Sequence, residues 1–287
     1  MEPFSFNTPY IHDFINRALQ EDLGDGDHSA LAAINVQAHG SAVILYKEPG
    51  IVAGLDLAAR ILNTLDPDAR LDVHYPDGST VEQGTRVATA SGRIQSLLGA
   101  ERLILNCMQR LSGIASTTAK AVDAVKPYPV KLLDTRKTTP GLRPLEKWAV
   151  TLGGGHNHRF GLFDMIMLKD NHIDHAGGIS AAIEKTMEYL ERTGKKLAIE
   201  VETRNLKDVQ EVLRFTGIQR IMFDNFSPEL VQEGVQLVAG RMETEASGGI
   251  NMSNIKGYAP TGVDFISLGF LTHSVKSLDI SMKTLLT

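Results

Sequence analysis

Two groups of charged side chains in the second half of the chain are of the types that bind anions and a hard metal ion. The cations are Arg136, Lys137, Arg159 and Lys169, and the carboxylates are those of Glu202 and Asp224. An arginine fork binds a carboxylate or a phosphate through paired hydrogen bonds, and a lysine supplies a point charge. Carboxylates beside incoming phosphates suit Mg²⁺ better than zinc. These residue types predict a site for an anionic, phosphate-bearing ligand with Mg²⁺.

Two glycine-containing segments near the C-terminus are suited to hold a phosphate through backbone N–H groups. They are Ser247-Gly248-Gly249 and Leu268-Gly269-Phe270. Each follows an apolar run, in the position of the last strands of a parallel barrel, whose loops commonly bind phosphate. Their position predicts that the phosphate lies at the same end of the fold as the charged side chains.

Two features leave a choice open. Glu200 and Glu202 are two residues apart in one apolar run, so in a strand both point to the same face. Both are candidates for the site carboxylate, and we choose Glu202.

His156 and His158 resemble a metal-binding pair, but they follow three glycines and have no third histidine or cysteine placed to join them. We favour a flexible loop that brings His158 and Arg159 over an anionic substrate.

Six apolar runs in this half of the chain predict the strands that position these residues. They cover residues 130–134, 164–169, 197–202, 220–224, 242–247 and 264–269. The last four begin at residues 197, 220, 242 and 264, so the repeat is 23, 22 and 22 residues, and amphipathic helical stretches lie between them. Apolar strands that alternate with helices indicate a parallel sheet, here a barrel with six of the usual eight strands. The carboxyl ends of such strands carry the active site.

The first part of the chain has a different pattern. Residues 1–110 predict an α+β domain that begins with a helix capped by Thr8, and residues 111–271 form the barrel domain. The helical pattern from residue 96 to 125 contains Gly113, which is expected to divide it into two helices. The tail, 272–287, is predicted to be a final helix. The pattern does not settle where it docks, and packing with the first domain is one option.

Composition narrows the class of protein. The chain has 29 Lys plus Arg against 34 Asp plus Glu, a net charge of −5, which argues against nucleic acid as the main partner. We find no apolar run of membrane-spanning length and no secretory signal. The single cysteine, Cys107, excludes a disulfide framework and fits a reducing compartment, so we expect a cytoplasmic protein. Its apolar neighbours indicate a buried small residue rather than a nucleophile.

Several longer motifs together resemble the quinolinate phosphoribosyltransferase family. They are Glu21-Asp22-Leu23-Gly24-Asp25-Gly26-Asp27, Glu101-Arg102-Leu103-Ile104-Leu105-Asn106, Leu111-Ser112-Gly113-Ile114-Ala115, Asp134-Thr135-Arg136-Lys137-Thr138-Thr139-Pro140-Gly141-Leu142-Arg143, Lys169-Asp170-Asn171-His172, Glu200-Val201-Glu202, Asp224-Asn225-Phe226 and Ser247-Gly248-Gly249. Their order and spacing extend through nearly the whole chain, and the ten-residue motif that begins at Asp134 is the most specific of them.

The resemblance implies an activity and an assembly. In this family, quinolinate and 5-phosphoribosyl-1-pyrophosphate (PRPP) react, with Mg²⁺, to give nicotinate mononucleotide, pyrophosphate and CO₂, a step of NAD biosynthesis. The implied fold is an N-terminal α/β sandwich followed by an incomplete six-stranded parallel α/β barrel. The implied assembly is a homodimer in which Arg102 reaches across to the partner's site.

The resemblance also implies roles for individual residues. Quinolinate would be surrounded by Arg102, Arg136, His158, Arg159 and Lys169. Thr135 would be a further substrate-binding residue. Lys137 would contact PRPP and act in catalysis, and Glu202 and Asp224 would organise the ribose and Mg²⁺. Backbone groups of Ser247, Gly248, Gly249, Leu268, Gly269 and Phe270 would hold the 5-phosphate.

Three alternatives stay open at this point. One is a phosphoribosyltransferase-like protein of the same fold, of the kind associated with molybdenum transport, that acts on another acceptor. Arg102, Arg136, Arg159 and Lys169 argue against it, since they fit a dicarboxylate. The others are a metal-dependent barrel hydrolase or lyase that uses His156 and His158, and a non-catalytic barrel that binds a phosphorylated ligand. Zinc analysis distinguishes the hydrolase, and turnover distinguishes the binding protein.

Overall fold

A computed structural model describes residues 4–285, and the chain forms two units. The first contains the chain up to Thr117, the segment Pro144–Gly153 and the chain from Val275 onward. The second contains Thr118–Arg143 and Gly154–Ser274. The division therefore falls later than the predicted boundary after residue 110, and the segment Pro144–Gly153 of the first unit lies inside the predicted barrel range of 111–271.

The first unit combines helices with an antiparallel sheet. Its helices are α1 (Pro9–Leu23), α2 (His28–Ala33), α3 (Leu55–Leu65), most of α4 (Ile94–Val125) and most of α5 (Arg143–Leu152). Its strands are β1 (His39–Tyr46), β2 (Gly50–Ile51), β3 (Arg70–Val73), β4 (Thr80–Val81), β5 (Arg86–Arg93) and β12 (Ile280–Leu285). Four strands form a sheet in the order β12-β1-β5-β3, and β2 pairs with β4. As predicted, Thr8 caps α1, accepting a hydrogen bond from the N–H of Ile11.

The C-terminal tail is a strand, so the helix predicted over 272–287 is wrong. Its described part, β12, pairs antiparallel with β1, with Ile280 opposite Tyr46 and Met282 opposite Ile44. Ile280 and Met282 are buried, and Ser281 between them is not. This alternation is the period of a strand with one buried face, and the edge of the sheet supplies its hydrogen-bond partners. From Val275 onward the tail belongs to the first unit.

Gly113 does not divide two helices, because α4 runs without a break from Ile94 to Val125. A Cβ atom at Gly113 would lie 2.4 Å from the carbonyl oxygen of Lys276. The glycine therefore allows the C-terminal segment to lie against the helix, and its helix propensity is overridden by that close packing.

The second unit contains the six predicted parallel strands, each near its predicted place. They are β6 (Lys131–Leu133), β7 (Ile166–Leu168), β8 (Ile199–Thr203), β9 (Arg220–Asp224), β10 (Glu243–Ser247) and β11 (Phe265–Ser267). The order β6-β11-β10-β9-β8-β7 places β6 and β7 at opposite edges, although they are neighbours in sequence. A closed barrel would pair those two edges, so the confirmed fold is an open six-stranded α/β barrel.

Helices connect these strands. They are α6 (Asp170–Ala176), α7 (Ile179–Thr193), α8 (Leu206–Val212), α9 (Pro228–Val238), α10 (Ile255–Tyr258), a 3₁₀ turn (Ala259–Thr261) and α11 (Phe270–His273). Asn205 and Ser227 cap the N-termini of α8 and α9 through side-chain oxygens, so each helix begins directly after a strand end. Within residues 4–285, no helix is long and apolar enough to cross a membrane.

The open edge of β6 is occupied by a short extended segment. His156 donates its backbone N–H to Leu132 O at 2.8 Å, and its carbonyl accepts the N–H of Asp134 at 3.0 Å. Since β11 pairs with the other side of β6, this bridge lies at the opening of the barrel. It directs the following residues, His158 and Arg159, to the inside.

Candidate active site

A cavity of about 640 Å³ opens at the carboxyl ends of the six strands. Most of the residues predicted for the site line it: Thr135, Arg136, Lys137, His158, Arg159, Lys169, Glu202, Asp224, Ser247, Gly248, Gly249, Gly269 and Phe270. Sequence order alone separates them by more than a hundred residues. The parallel strands bring them together because every strand ends at the same edge of the sheet.

Two predicted residues do not line this cavity. Leu268 is fully buried and contributes its backbone next to the lining residue Gly269. Arg102 lies on α4 in the first unit with an exposed side chain.

Several lining residues were not predicted. The most significant is Glu245, which lies in β10 two residues before Ser247. The period of two along a strand puts these two residues on the same face. Since Ser247 was predicted to lie in the site, this period was sufficient to predict Glu245 as well. Asn251 and His273 line the cavity from loops and a short helix, where no periodic signal exists.

The segment that carries Arg136 and Lys137 is held at both ends. Lys137 donates its backbone N–H to Thr135 Oγ1 at 3.0 Å, and its carbonyl accepts the hydroxyl of Thr272 at 2.8 Å. Arg143 then ties this loop to the loop after His158, donating to Thr138 Oγ1 at 3.0 Å and to the carbonyl of Phe160 at 3.1 Å. These bonds fix the backbone from which the two cations extend.

The cations of the cavity lie close enough to affect one another. Burial lowers the pKa of Arg159, and the nearby Arg136 lowers it further. The Arg159 guanidinium donates to the carbonyl of Met165 at 3.1 Å. A site in which like charges oppose one another gains stability when an anion enters, so this side of the cavity favours a ligand that carries carboxylate or phosphate groups.

Glu202 and Asp224 form the acidic side of the cavity. Burial raises the pKa of Glu202, the carboxylate of Asp224 raises it further, and the ammonium of Lys169 opposes this shift. Two hard oxygen donors whose charges repel each other are the donor set that a divalent cation stabilises. The residues therefore fit Mg²⁺.

Glu200 occupies a different environment from Glu202. It is fully buried, and its Oε2 lies 2.9 Å from His158 Nε2, whereas Glu202 lines the cavity. A carboxylate oxygen of Glu245 lies 3.5 Å from the same ring nitrogen. The backbone N–H of His158 also donates to Asp134 Oδ1 at 2.9 Å. The predicted flexible loop over the substrate is thus a buried, well-anchored segment.

The two glutamates act on the charge of His158. Burial lowers its pKa, but Glu200 and Glu245 more than offset burial and raise the pKa to about 9. The backbone N–H of Arg159 donates to Nδ1 of the same ring at 2.7 Å and favours the neutral form. One such bond contributes about 1 kcal/mol, less than two buried carboxylates.

Arg220 completes this buried group. Its guanidinium lies 2.8 Å from a Glu245 oxygen and 3.0 Å from Glu243 Oε2. Burial alone would raise the pKa of Glu245, but His158 and Arg220 outweigh burial and lower it. The three ligand atoms of His158, Glu200 and Glu245 lie within 4.8 Å of one another. His156 is not part of this group, so the structure does not bring together the histidine pair of the hydrolase alternative.

The glycines of the last two loops allow neighbouring atoms to lie close to the loop backbone. Gly248 and Gly249 have φ of +89° and +63°, a region that other residues rarely adopt. A Cβ atom at Gly269 would lie 2.9 Å from His273 Nε2 and 3.2 Å from Lys137 Cδ. Elsewhere, Cys107 is only partly buried, not fully buried as predicted. Desolvation still raises the pKa of its thiol to about 12, and a thiol with so high a pKa is a poor nucleophile.

Comparisons with known proteins agree with this architecture. Residues 27–112 match the family model "Quinolinate phosphoribosyl transferase, N-terminal domain", and residues 114–283 match the corresponding C-terminal domain. The chain belongs to the quinolinate phosphoribosyltransferase family.

Members of this family resemble the chain over nearly its full length. "Quinolinate phosphoribosyltransferase [decarboxylating] 1b" of Nicotiana tabacum is 44% identical over 99% of this chain and 85% of its own. A probable nicotinate-nucleotide pyrophosphorylase [carboxylating] of Bacillus subtilis is 43% identical over 98% of this chain and 96% of its own. The crystal structure of NadC from Streptococcus pyogenes is 40% identical, with a TM-score of 0.91 and 96% of each chain covered.

Proposed function

We propose that the protein transfers the phosphoribosyl group of PRPP to quinolinate with loss of CO₂, giving nicotinate mononucleotide and pyrophosphate. The observation that supports this most strongly is the division of one cavity into a cationic side and an acidic, glycine-containing side. A dicarboxylate acceptor and a phosphorylated donor need these two environments next to each other. The names of the relatives agree with the assignment.

The cationic side binds quinolinate in this proposal. Arg136, Arg159 and Lys169 pair with its two carboxylates, and Thr135 and His158 complete the wall. Taking two carboxylates out of water is costly unless fixed cations replace the water. The cations are positioned before the ligand arrives, since the loops that carry them are hydrogen-bonded at both ends.

The acidic side binds PRPP. Glu202 and Asp224 hold the ribose and would hold Mg²⁺, while the backbone around Ser247–Gly249 and Leu268–Phe270 receives the 5-phosphate. When bound, Mg²⁺ neutralises the charge that develops on the departing pyrophosphate. Lys137 contributes a cation of the chain to the same end.

The bond changes need no nucleophile from the protein. The pyridine nitrogen of quinolinate forms a bond to the ribosyl carbon as pyrophosphate leaves with the electron pair of the broken bond. The ring nitrogen is then cationic, and it stabilises the electron pair left on the adjacent ring carbon when CO₂ departs. That carbon takes a proton from water, which gives nicotinate mononucleotide. The carboxylates of Glu202 and Asp224 stabilise positive charge on the ribosyl carbon, and the cations keep the ring oriented.

We also propose a cytoplasmic homodimer in which the partner subunit's Arg102 completes the quinolinate side. The exposed Arg102 side chain, on α4, supports this. The single cysteine supports a reducing compartment, although some plant relatives are named mitochondrial or chloroplastic.

The test is turnover with quinolinate carrying ¹⁴C in the carboxylate that is lost, together with PRPP and Mg²⁺. The proposal predicts equal amounts of ¹⁴CO₂ and nicotinate mononucleotide. Consumption of nicotinate with no CO₂ release from quinolinate would contradict it.

A further inference from the structure

A buried group lies beneath the cationic side of the cavity, and apart from His158 its members have no role in the reaction described above. It consists of His158, Glu200, Glu245 and Arg220, which come from the open edge of the barrel and from three adjacent strands. Both carboxylates are fully buried, and 9% of His158 is exposed. Buried charges at this depth destabilise the fold unless each has a partner of opposite charge. We therefore expect this group to have a role in the protein.

The charges of this group are matched. Glu245 lies between Arg220, at 2.8 Å, and His158, at 3.5 Å, and Glu200 lies 2.9 Å from His158. Arg220 thus supplies the cation that pairs with the carboxylate of Glu245. This pairing argues against a metal ion at the three ligand atoms, because a resident guanidinium already neutralises Glu245.

The contacts continue from this group to the cavity wall. His158 Nε2 faces the two glutamates, and its Nδ1 faces the backbone N–H of Arg159 at 2.7 Å. Both nitrogens of the ring are therefore held by the protein. The same contacts fix where the Arg159 backbone lies, and the Arg159 side chain leads into the cavity.

We propose that Glu200 and Glu245 are positioning residues, which hold the His158 ring and, through it, Arg159 in the orientation that binds the acceptor dicarboxylate. Arg220 supports them by neutralising Glu245. This inference rests on the proposed function for the identity of the acceptor. It gives Glu200 a role distinct from that of Glu202, which lies two residues further along the same strand.

The test compares three isosteric variants, Glu200→Gln, Glu245→Gln and Glu243→Gln. All three substitutions keep the side-chain volume. Glu243 is the matched control because its carboxylate contacts the same Arg220, but its side chain is 38% exposed and pairs with Arg220 rather than with His158. We expect the KM for quinolinate to rise on the order of tenfold in the first two variants, because each removes one buried ion pair to the His158 ring. The KM for PRPP stays near the wild-type value in all three, and Glu243→Gln matches the wild type in both.

A double-mutant cycle separates positioning from general stability. If Glu200 acts through His158, adding Glu200→Gln to His158→Gln raises the quinolinate KM no further. Additive effects, or equal changes in both KM values, would overturn the proposal, as would a Glu200→Gln variant that behaves like the wild type. If Glu200→Gln does not fold, Glu245→Gln applies the same test from the next strand but one.

A second readout does not depend on turnover. The NMR signals of the His158 imidazole should shift in Glu200→Gln and Glu245→Gln and stay unchanged in Glu243→Gln. Unchanged signals in all three would overturn the positioning role. Absence of turnover in the wild type with these shifts present would contradict the proposed function alone.

Discussion

The side-chain amide of Asn225 donates a 2.6 Å hydrogen bond to the carboxylate of Asp224. Asn225 has a φ of +57°, and within residues 4–285 only Ala239 shares a positive φ among non-glycine residues. Its backbone N–H also donates to the carbonyl of Ser247 at 2.9 Å. A Cβ atom at Gly248 would lie 2.3 Å from Asn225 Oδ1. One residue thus links the acidic side of the cavity to the glycine loop beside it.

Replacing Asn225 should weaken PRPP binding selectively. Asn225→Gly keeps the left-handed backbone and removes the amide, so we expect the KM for PRPP to rise about tenfold. Asn225→Asp keeps the shape but places a second carboxylate beside Asp224, and we expect a larger rise. Steady-state kinetics with each substrate varied in turn measures both. Ala239→Gly, the matched control for backbone strain, should leave both KM values unchanged.

Two glycines of α4 should respond to alanine with opposite signs. At Gly113 a Cβ atom would lie 2.4 Å from a backbone oxygen, so Gly113→Ala should destabilise the fold by about 1–3 kcal/mol. At Gly99 the nearest atom, Leu23 Cδ2, is at an ordinary 3.4 Å, and Gly99→Ala should stabilise by about 0.5–1 kcal/mol through helix propensity. Urea unfolding of the two variants compares them, and equal effects would contradict the close-approach argument.

Much of the barrel could be predicted from sequence because its signal is local and periodic. The apolar runs near residues 220 and 243 each form a strand, and Thr8 caps a helix as its side chain requires. The errors arose where long-range packing decides. Gly113 looks like a helix breaker until the segment at Lys276 packs against it. The pattern of the tail after Val275 predicts a helix, but the tail forms a strand because it pairs with the edge of β1.

In the candidate site, too, the sequence predicts what depends on local pattern and does not predict what depends on long-range packing. Lys137 and Asp224 could be predicted because Asp224 ends strand β9 and Lys137 lies in the loop that follows β6. The separate environments of Glu200 and Glu202 could not be predicted, since the period of two puts both on one face. Their difference arises from depth along the strand and from His158, which reaches Glu200 from a loop more than forty residues earlier.

Removal of divalent cations should abolish turnover. Glu202 and Asp224 supply two oxygen donors but leave most coordination positions to water and PRPP. We therefore expect activity to vanish with EDTA and to return with Mg²⁺. Glu202→Gln and Asp224→Asn should raise the Mg²⁺ concentration for half-maximal rate about tenfold. Glu233→Gln, an exposed change on α9, is the control, and a rate unaffected by EDTA would contradict the metal assignment.

Mixing two inactive variants tests the role of Arg102. If the partner subunit's Arg102 completes each site, Arg102→Ala and Lys169→Ala form a mixed dimer with one intact site. Half of randomly mixed dimers are mixed and each has one of two sites intact, so about a quarter of wild-type activity returns. The measurement is turnover after subunit exchange is verified with tagged chains. Full exchange without recovery would place Arg102 in the site of its own subunit.

The central claim is tested most directly by turnover of the purified protein with carboxyl-labelled quinolinate, PRPP and Mg²⁺. We predict ¹⁴CO₂ and nicotinate mononucleotide in a one-to-one ratio, with neither formed when PRPP is omitted. Formation of a ribosylated product from nicotinate, with no label released from quinolinate, would contradict the proposed function.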